Sequence, residues 1–140
     1  MSPNNPAFVL DSFALLAYLN DEPGRARVKE VLRSAEQGLC RVSLCMINFG
    51  EVLYMTERRR GLATAQSVQS LIESMPISIL ETTRNLVLDA AHIKANHAIS
   101  YADAFAAAAA LQEGAVILTG DPEFEAVQSI VTVDWLEKPS

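Results

Sequence analysis

In this chain of 140 residues, 50% are hydrophobic and 20% are charged, which favours one folded soluble domain spanning 1–140 and excludes a disordered protein. The 17 acidic residues outnumber the 11 basic ones, so overall charge argues against general nucleic-acid binding but allows a local basic strip. No apolar run reaches the ~18 residues that span a membrane, and the first residues lack a secretion signal, so a cytoplasmic location is expected.

Short apolar runs alternate with longer helical patterns along the chain. Strands are predicted at 7–10, 39–44, 77–80, 115–121 and 130–133. Helices are predicted at 12–20, 25–37, 46–60, 62–74 and 84–97, followed by an alanine-rich helix within 99–111 and a short helical stretch at 122–128. This alternation is typical of an α/β fold, in which helices cover both faces of a parallel sheet.

The cysteines and histidines do not form a recognisable zinc motif. Cys40 and Cys45 are the only cysteines, and two thiols in a reducing compartment are expected to be core residues without a disulfide. His92 and His97 are five residues apart, which is the wrong spacing for two ligands on one helical face.

One carboxylate interrupts the alanine-rich helix in "ISYADAFAAAAAL" (99–111). A helix that is apolar on every side is normally buried, and a buried charged carboxylate is costly unless it is paired or binds a metal. Asp103 could instead complete a capping box with Ser100, because the two have the S-x-x-D spacing. That alternative does not explain why alanine dominates the rest of the helix.

Three further acids occupy comparable positions. Asp11 ends the first strand, and Asp121 follows "VILT" at the end of the stretch 115–121, where open α/β sheets bind their ligands. Each could also be a simple helix cap. For Asp121 this is favoured by the proline that follows it, since proline is common at the first position of a helix. Glu51 lies in the otherwise apolar "MINFGEVLYM", and Asn48 shares its helical face.

Together the four acids are expected to meet at one edge of the sheet. Two carboxylates ~5 Å apart repel by roughly 3 kcal/mol at an effective dielectric constant of 20, so such a cluster must keep protons or bind cations. Ligands that are all oxygen favour Mg²⁺ or Mn²⁺. We therefore expect one or two of these ions at Asp11, Glu51, Asp103 and Asp121.

Four stretches in order resemble the PIN-domain ribonucleases, and among them the VapC toxins of toxin–antitoxin pairs: "VLDSFALLAYL", "INFGEVLY", "ISYADAFAAAAAL" and "ILTGDPEF". The resemblance covers nearly the whole chain. It implies a three-layer α/β/α sandwich with a mainly parallel central sheet. It also implies a metal-dependent endoribonuclease that hydrolyses RNA phosphodiester bonds and leaves a 5′-phosphate and a 3′-hydroxyl.

The resemblance assigns roles to individual residues. It implies that the four acids are the catalytic and metal-binding set, and that the hydroxyls of Ser12 and Thr119 and the amide of Asn48 support them. It also implies three partners: a transfer or ribosomal RNA substrate, a cognate antitoxin, and a second copy of the chain in a homodimer.

The basic residues form two faces. The densest run is Arg58, Arg59 and Arg60, which could contact RNA phosphates or the antitoxin, or could simply be a solvated helix surface. A second basic face is predicted within 25–33.

Two alternative functions remain open from the sequence. Another phosphotransfer enzyme could use an acid cluster, but a haloacid-dehalogenase-like phosphatase needs a D-x-D motif after the first strand, where this chain has Asp11-Ser12-Phe13. A PIN-fold binding module without catalysis would be indicated by loss of an acid, and none of the four is missing.

Overall fold

A computed structural model describes residues 5–137, so residues 1–4 and 138–140 of the predicted domain lie outside the described residues. The strands are β1 (Ala7–Leu10), β2 (Arg41–Cys45), β3 (Ser78–Leu80), β4 (Val116–Thr119) and β5 (Val133–Trp135). The helices are α1 (Ser12–Leu19), α2 (Arg25–Glu36), α3 (Met46–Arg60), α4 (Leu62–Ser74), α5 (Arg84–Asn96) and α6 (Tyr101–Glu113), with a short 3₁₀ helix at Pro122–Val127.

The strands form one sheet in the order β3-β2-β1-β4-β5, and every neighbouring pair is parallel. β1 lies at the centre, where Leu10 is in register with Leu44 of β2 and Leu118 of β4. The predicted α/β class with a parallel central sheet is confirmed.

Successive residues of β1 point to opposite faces of the sheet and so enter two separate cores. Val9 packs with α5, α6 and the 3₁₀ helix, whereas Leu10 packs with α1, α2, α3 and α4. The result is the three-layer α/β/α sandwich that the resemblance implies.

Helix α6 lies against the middle of the sheet because its side chains are small. Residues 104–110 are all buried, and six of these seven are alanine. Ser100 caps the start of the helix, and Gly114 ends it in the left-handed conformation with a φ of 59°. Although α6 is apolar on every side, no helix within residues 5–137 is both long and apolar enough to cross a membrane.

The last strand begins later than predicted. We expected a strand at 130–133, but β5 is Val133–Trp135. The backbone N–H groups of Ile130 and Val131 both donate to the carbonyl of Val127, so these residues continue the turn of the 3₁₀ helix. Their N–H groups are therefore not free to join the sheet. Cys40 and Cys45 are buried free thiols, as predicted.

Gly120, between β4 and Asp121, is required by close packing. A β-carbon placed there would lie 2.4 Å from Cε1 of Phe13. We expect Gly120→Ala to lower the free energy of unfolding by about 1–3 kcal/mol, because the half-buried ring must shift away from its present contacts. Urea unfolding followed by circular dichroism would measure the loss.

Gly50 in α3 provides the matched control, since a β-carbon there meets no atom within 4 Å. Gly50→Ala should be neutral or stabilise by up to about 1 kcal/mol, as expected for a helix interior. A Gly120→Ala protein as stable as Gly50→Ala would show that the Phe13 ring does not impose this constraint.

Candidate active site

The predicted acids come together at the carboxyl edge of the sheet. Asp11 follows β1 directly, Asp121 follows β4, Asp103 lies in the first turn of α6, and Glu51 lies in α3. A cleft of about 320 Å³ opens at this edge. The polar residues in its wall are Ser12, Glu51, Tyr54, Ser100, Asp103, Asp121 and Glu123.

The structure does not form the capping box that was the alternative explanation for Asp103. The Ser100 hydroxyl accepts a hydrogen bond from the Asp103 backbone N–H at 3.2 Å, as a helix cap should. The reciprocal bond is missing, because the Ser100 backbone N–H donates to Glu123 instead. Within residues 5–137, the Asp103 carboxylate accepts no hydrogen bond although its residue is only 6% exposed. Its oxygens face the open cleft, where water or a cation can stabilise the charged form.

Three acids lie close enough to share one ion. Asp103, Asp121 and Glu123 each present a carboxylate oxygen within 4.8 Å of the other two. Our sequence analysis did not select Glu123. The available signal was an acid two residues after Asp121, in the first turn of the predicted short helix. Asp121 accepts the Glu123 backbone N–H at 2.9 Å, so its helix-capping role coexists with its place in the cluster.

Asp11 lies beside this group and is almost fully buried. One oxygen accepts the Ala14 backbone N–H at 2.8 Å, which caps α1. The other accepts the Thr119 hydroxyl at 2.5 Å. The same Thr119 oxygen accepts the Asp121 backbone N–H at 3.0 Å, so the predicted supporting hydroxyl connects two of the acids.

Glu51 faces the cleft from α3 and is held by Asn48. The Asn48 amide donates at 3.0 Å to Glu51 and at 3.2 Å to the backbone carbonyl of Ala102, the residue before Asp103. Asn48 is fully buried, and its side-chain oxygen has no hydrogen-bond partner among the described residues. Asn48 therefore fixes the position of Glu51 relative to the start of α6.

Burial and mutual repulsion raise the pKa of two of these acids. Burial is the main cause of the rise in the pKa of Asp103 to about 8, and the negative charges of Asp11, Asp121, Glu123 and Glu51 add to it. In the absence of a cation, Asp103 is therefore expected to keep its proton near neutral pH.

The pKa of Asp11 is raised to about 7, again mainly by burial. Hydrogen bonds from Thr119 and from the Ala14 backbone lower it, and the charge of Asp121 raises it. Raised pKa values of this kind are concentrated at functional sites.

The predicted basic faces have different surroundings. Arg58, Arg59 and Arg60 are exposed at the end of α3, and no ion pair within residues 5–137 involves them. On the second face, Arg25 contacts Tyr18, and Arg27 pairs with two acids. The second face is thus partly used in internal contacts.

Comparison with known proteins supports the fold. The PIN domain family profile matches residues 8–130. No curated protein matches the chain in sequence.

Three solved structures are similar to the chain over nearly its full length. A VapBC2 complex from Rickettsia felis, bound to a fragment of its promoter DNA, aligns with a TM-score of 0.72 and 14% identity over 94% of this chain and 99% of that chain. VapC20 of Mycobacterium tuberculosis, a toxin that cleaves the sarcin–ricin loop, aligns with a TM-score of 0.70 and 19% identity over 95% of this chain and 99% of that chain. A DNA-bound VapBC complex from Salmonella typhimurium aligns with a TM-score of 0.70 and 19% identity over 92% of this chain and 97% of that chain.

At these identities the structural likeness establishes the fold alone, whereas the family profile spans most of the sequence. The chain belongs to the PIN-domain family.

Proposed function

We propose that this protein is a divalent-metal-dependent endoribonuclease of the VapC type, the toxin of a toxin–antitoxin pair acting in the cytoplasm. The carrying observation is the buried Asp103, which accepts no hydrogen bond from residues 5–137 and faces Asp121 and Glu123 across less than 4.8 Å. A helix that needed Asp103 only as a cap would not place it against two further acids.

The donor set fits Mg²⁺ or Mn²⁺. All the candidate ligands are carboxylate oxygens, which hard divalent cations prefer. Asp103, Asp121 and Glu123 would hold one ion, and in this proposal Asp11 and Glu51 complete the set or hold a second. When bound, the ion supplies charge stabilisation for the phosphodiester and lowers the pKa of a water molecule.

The remaining polar residues keep the carboxylates in place. Thr119 holds Asp11 and the backbone of Asp121, while Asn48 holds Glu51. Such groups restrict the orientation of the acids, which lowers the reorganisation needed for a reaction. Among residues 5–137, no hydroxyl or thiol in the cleft wall is hydrogen-bonded to a side-chain base, so the proposed attacking group is water.

The partners are proposals drawn from the family. Several of the similar structures are toxin–antitoxin complexes, which supports an antitoxin partner for this chain. VapC20 is a toxin that cleaves the sarcin–ricin loop, which supports our proposal of transfer or ribosomal RNA as the substrate class. We also propose a homodimer, as expected for this family.

Asp103→Asn should reduce RNA cleavage by at least about 100-fold, which exceeds the 10–100-fold typical of groups that only orient a metal ligand. Antitoxin-free protein would be incubated with total cellular RNA in Mg²⁺, in Mn²⁺ and in EDTA, and the cut ends mapped. Cleavage should need a cation and leave 5′-phosphates. Asp89→Asn, an exposed acid of α5, is the matched control and should retain full activity. If folded wild type leaves RNA intact with both metals, the non-catalytic binding module becomes the better explanation.

The metal-free protein should lose stability between about pH 4 and pH 8. The ordinary pKa of Asp is 3.8, and the folded value for Asp103 is about 8, so in this window the unfolded chain binds fewer protons than the folded one. Stability therefore falls as pH rises, by at most about 1.4 kcal/mol per pH unit for this group.

Comparing variants in EDTA isolates this effect. Asp103→Asn should be about as stable as wild type near pH 4 and clearly more stable near pH 8, while Asp89→Asn follows wild type throughout. Urea unfolding across this range measures the difference. A gap between wild type and Asp103→Asn that stays constant with pH would contradict the raised pKa.

Glu123→Gln should weaken Mn²⁺ binding about tenfold or more, because the amide removes a charge from the cluster. Isothermal titration of the purified protein with MnCl₂ would measure the change. Glu125→Gln, an exposed acid of the same 3₁₀ helix, is the control and should bind Mn²⁺ like wild type. Equal affinities for the two variants would remove Glu123 from the metal-binding set.

A further inference from the structure

We infer that one face of α3 forms the path of a single-stranded RNA segment as it leaves the acid cluster, with Tyr54 stacking on a base and Arg58 and Arg59 contacting phosphates. The inference rests on the proposed function for its substrate class. It assigns a role to Tyr54, which the acid cluster does not use, and selects RNA as the ligand of the arginines.

The helix repeat places an acid, an aromatic ring and two cations in a row. Glu51, Tyr54, Met55, Arg58 and Arg59 follow the i, i+3, i+4, i+7, i+8 spacing of one helical face. With a rise of 1.5 Å per residue, Arg58 lies about 10 Å along the axis from Glu51. A strand that reacts at the acids therefore meets the ring first and the arginines next.

Tyr54 is positioned as a stacking platform at the mouth of the cleft. It lines the same cleft as Glu51 and Asp103, and it is 50% exposed. The guanidinium carbon of Arg58 lies 5.2 Å from the centre of its ring, so a cation holds the ring in place. Tyr54 also lines a neighbouring cavity of about 300 Å³ with Glu57 and Arg58.

The acid cleft adjoins a small crevice near the end of α3. Leu16 and Met55 line both, and the other walls of the crevice include Arg59 and Arg60. These two arginines therefore lie next to the site. Three cations that form no ion pair within residues 5–137 are available to a polyanion.

This combination matches single-stranded RNA better than a protein segment. Grooves for single strands combine cations that follow the backbone with an aromatic side chain on which a base stacks. An acidic peptide would use the arginines but would gain little from the ring, and its carboxylates would meet the acids at the other end of the row. RNA carries bases and phosphates at regular intervals, so one strand can stack a base on Tyr54 and place phosphates at Arg58 and Arg59.

Binding of a fluorescein-labelled 12-nucleotide single-stranded RNA of mixed sequence would test this path, by anisotropy in MgCl₂. The variants are made in the Asp103→Asn protein so that the RNA stays intact. Tyr54→Leu should weaken binding about tenfold, while Tyr54→Phe, which keeps the ring, should bind like its parent. Circular dichroism confirms that each exposed-site variant is folded.

The salt dependence separates the ring from the arginines. Arg58→Gln and Arg59→Gln should each lower the slope of log K against log salt by about 0.7, as expected for one lost phosphate contact on a single strand. Tyr54→Leu should weaken binding without changing the slope. Arg33→Gln, an exposed arginine of α2 that lines a different cavity, is the control and should change neither quantity.

Three results would overturn the inference. The first is RNA binding that is absent, or unaffected by Tyr54→Leu and Arg58→Gln. The second is a change of oligomeric state in Tyr54→Leu on sedimentation, since the face would then join two copies of the chain. The third is a loss of antitoxin binding in Tyr54→Leu or Arg58→Gln while RNA binding by the same variant is unchanged.

The proposed function can fail separately. If wild type cleaves RNA, and Tyr54→Leu made in the wild-type protein cleaves it with the same KM, the path is wrong and the nuclease stands. If wild type does not cleave RNA with either metal but the variants weaken binding as expected, the path stands and the catalytic proposal falls.

Discussion

The central constraint on this structure is the confinement of several carboxylates at one edge of a parallel sheet. Carboxylates repel one another and lose hydration when buried, and both effects favour the protonated form. The pKa of Asp103 rises to about 8 for these reasons, and that of Asp11 to about 7. Such a site is stable when it holds protons, or when a cation replaces them. The fold therefore keeps a local source of instability that ligand binding can relieve, as is common at functional sites.

The rest of the structure fixes where these acids lie. The alanines of α6 allow the helix to approach the sheet closely, which brings Asp103 next to the ends of β1 and β4. Thr119 and Asn48 then hold neighbouring acids by direct hydrogen bonds. Thr119 reaches Asp11 across the sheet, and Asn48 also reaches the backbone of Ala102, so the arrangement of the acids depends on contacts between elements that are distant in sequence.

Most of the fold was predictable because its local signals agree. Apolar runs bounded by glycine, proline and capping residues define strands and helices to within a few residues, and an isolated acid in an alanine-rich helix indicated a buried site. Glu123 was missed because its role depends on the 3₁₀ helix turning back to the start of α6, which no local pattern encodes. Asn48 was selected because it shares a helical face with Glu51, but no local pattern predicts its second bond, which reaches Ala102, 54 residues away. The strand at 130–133 was misplaced because the backbone N–H groups of Ile130 and Val131 donate to Val127 in a turn. Strand propensity alone predicts that these groups pair in the sheet.

The two outer strands of the sheet, β3 and β5, have only three residues each. A short outer strand presents few unpaired backbone groups, which limits the pairing of this sheet with a strand from another chain. The sheet is thereby protected from edge-to-edge aggregation. Partners of this chain are accordingly expected to bind through its helical surfaces and its cleft, where recognition depends on side chains and can differ between related proteins that share the same backbone fold.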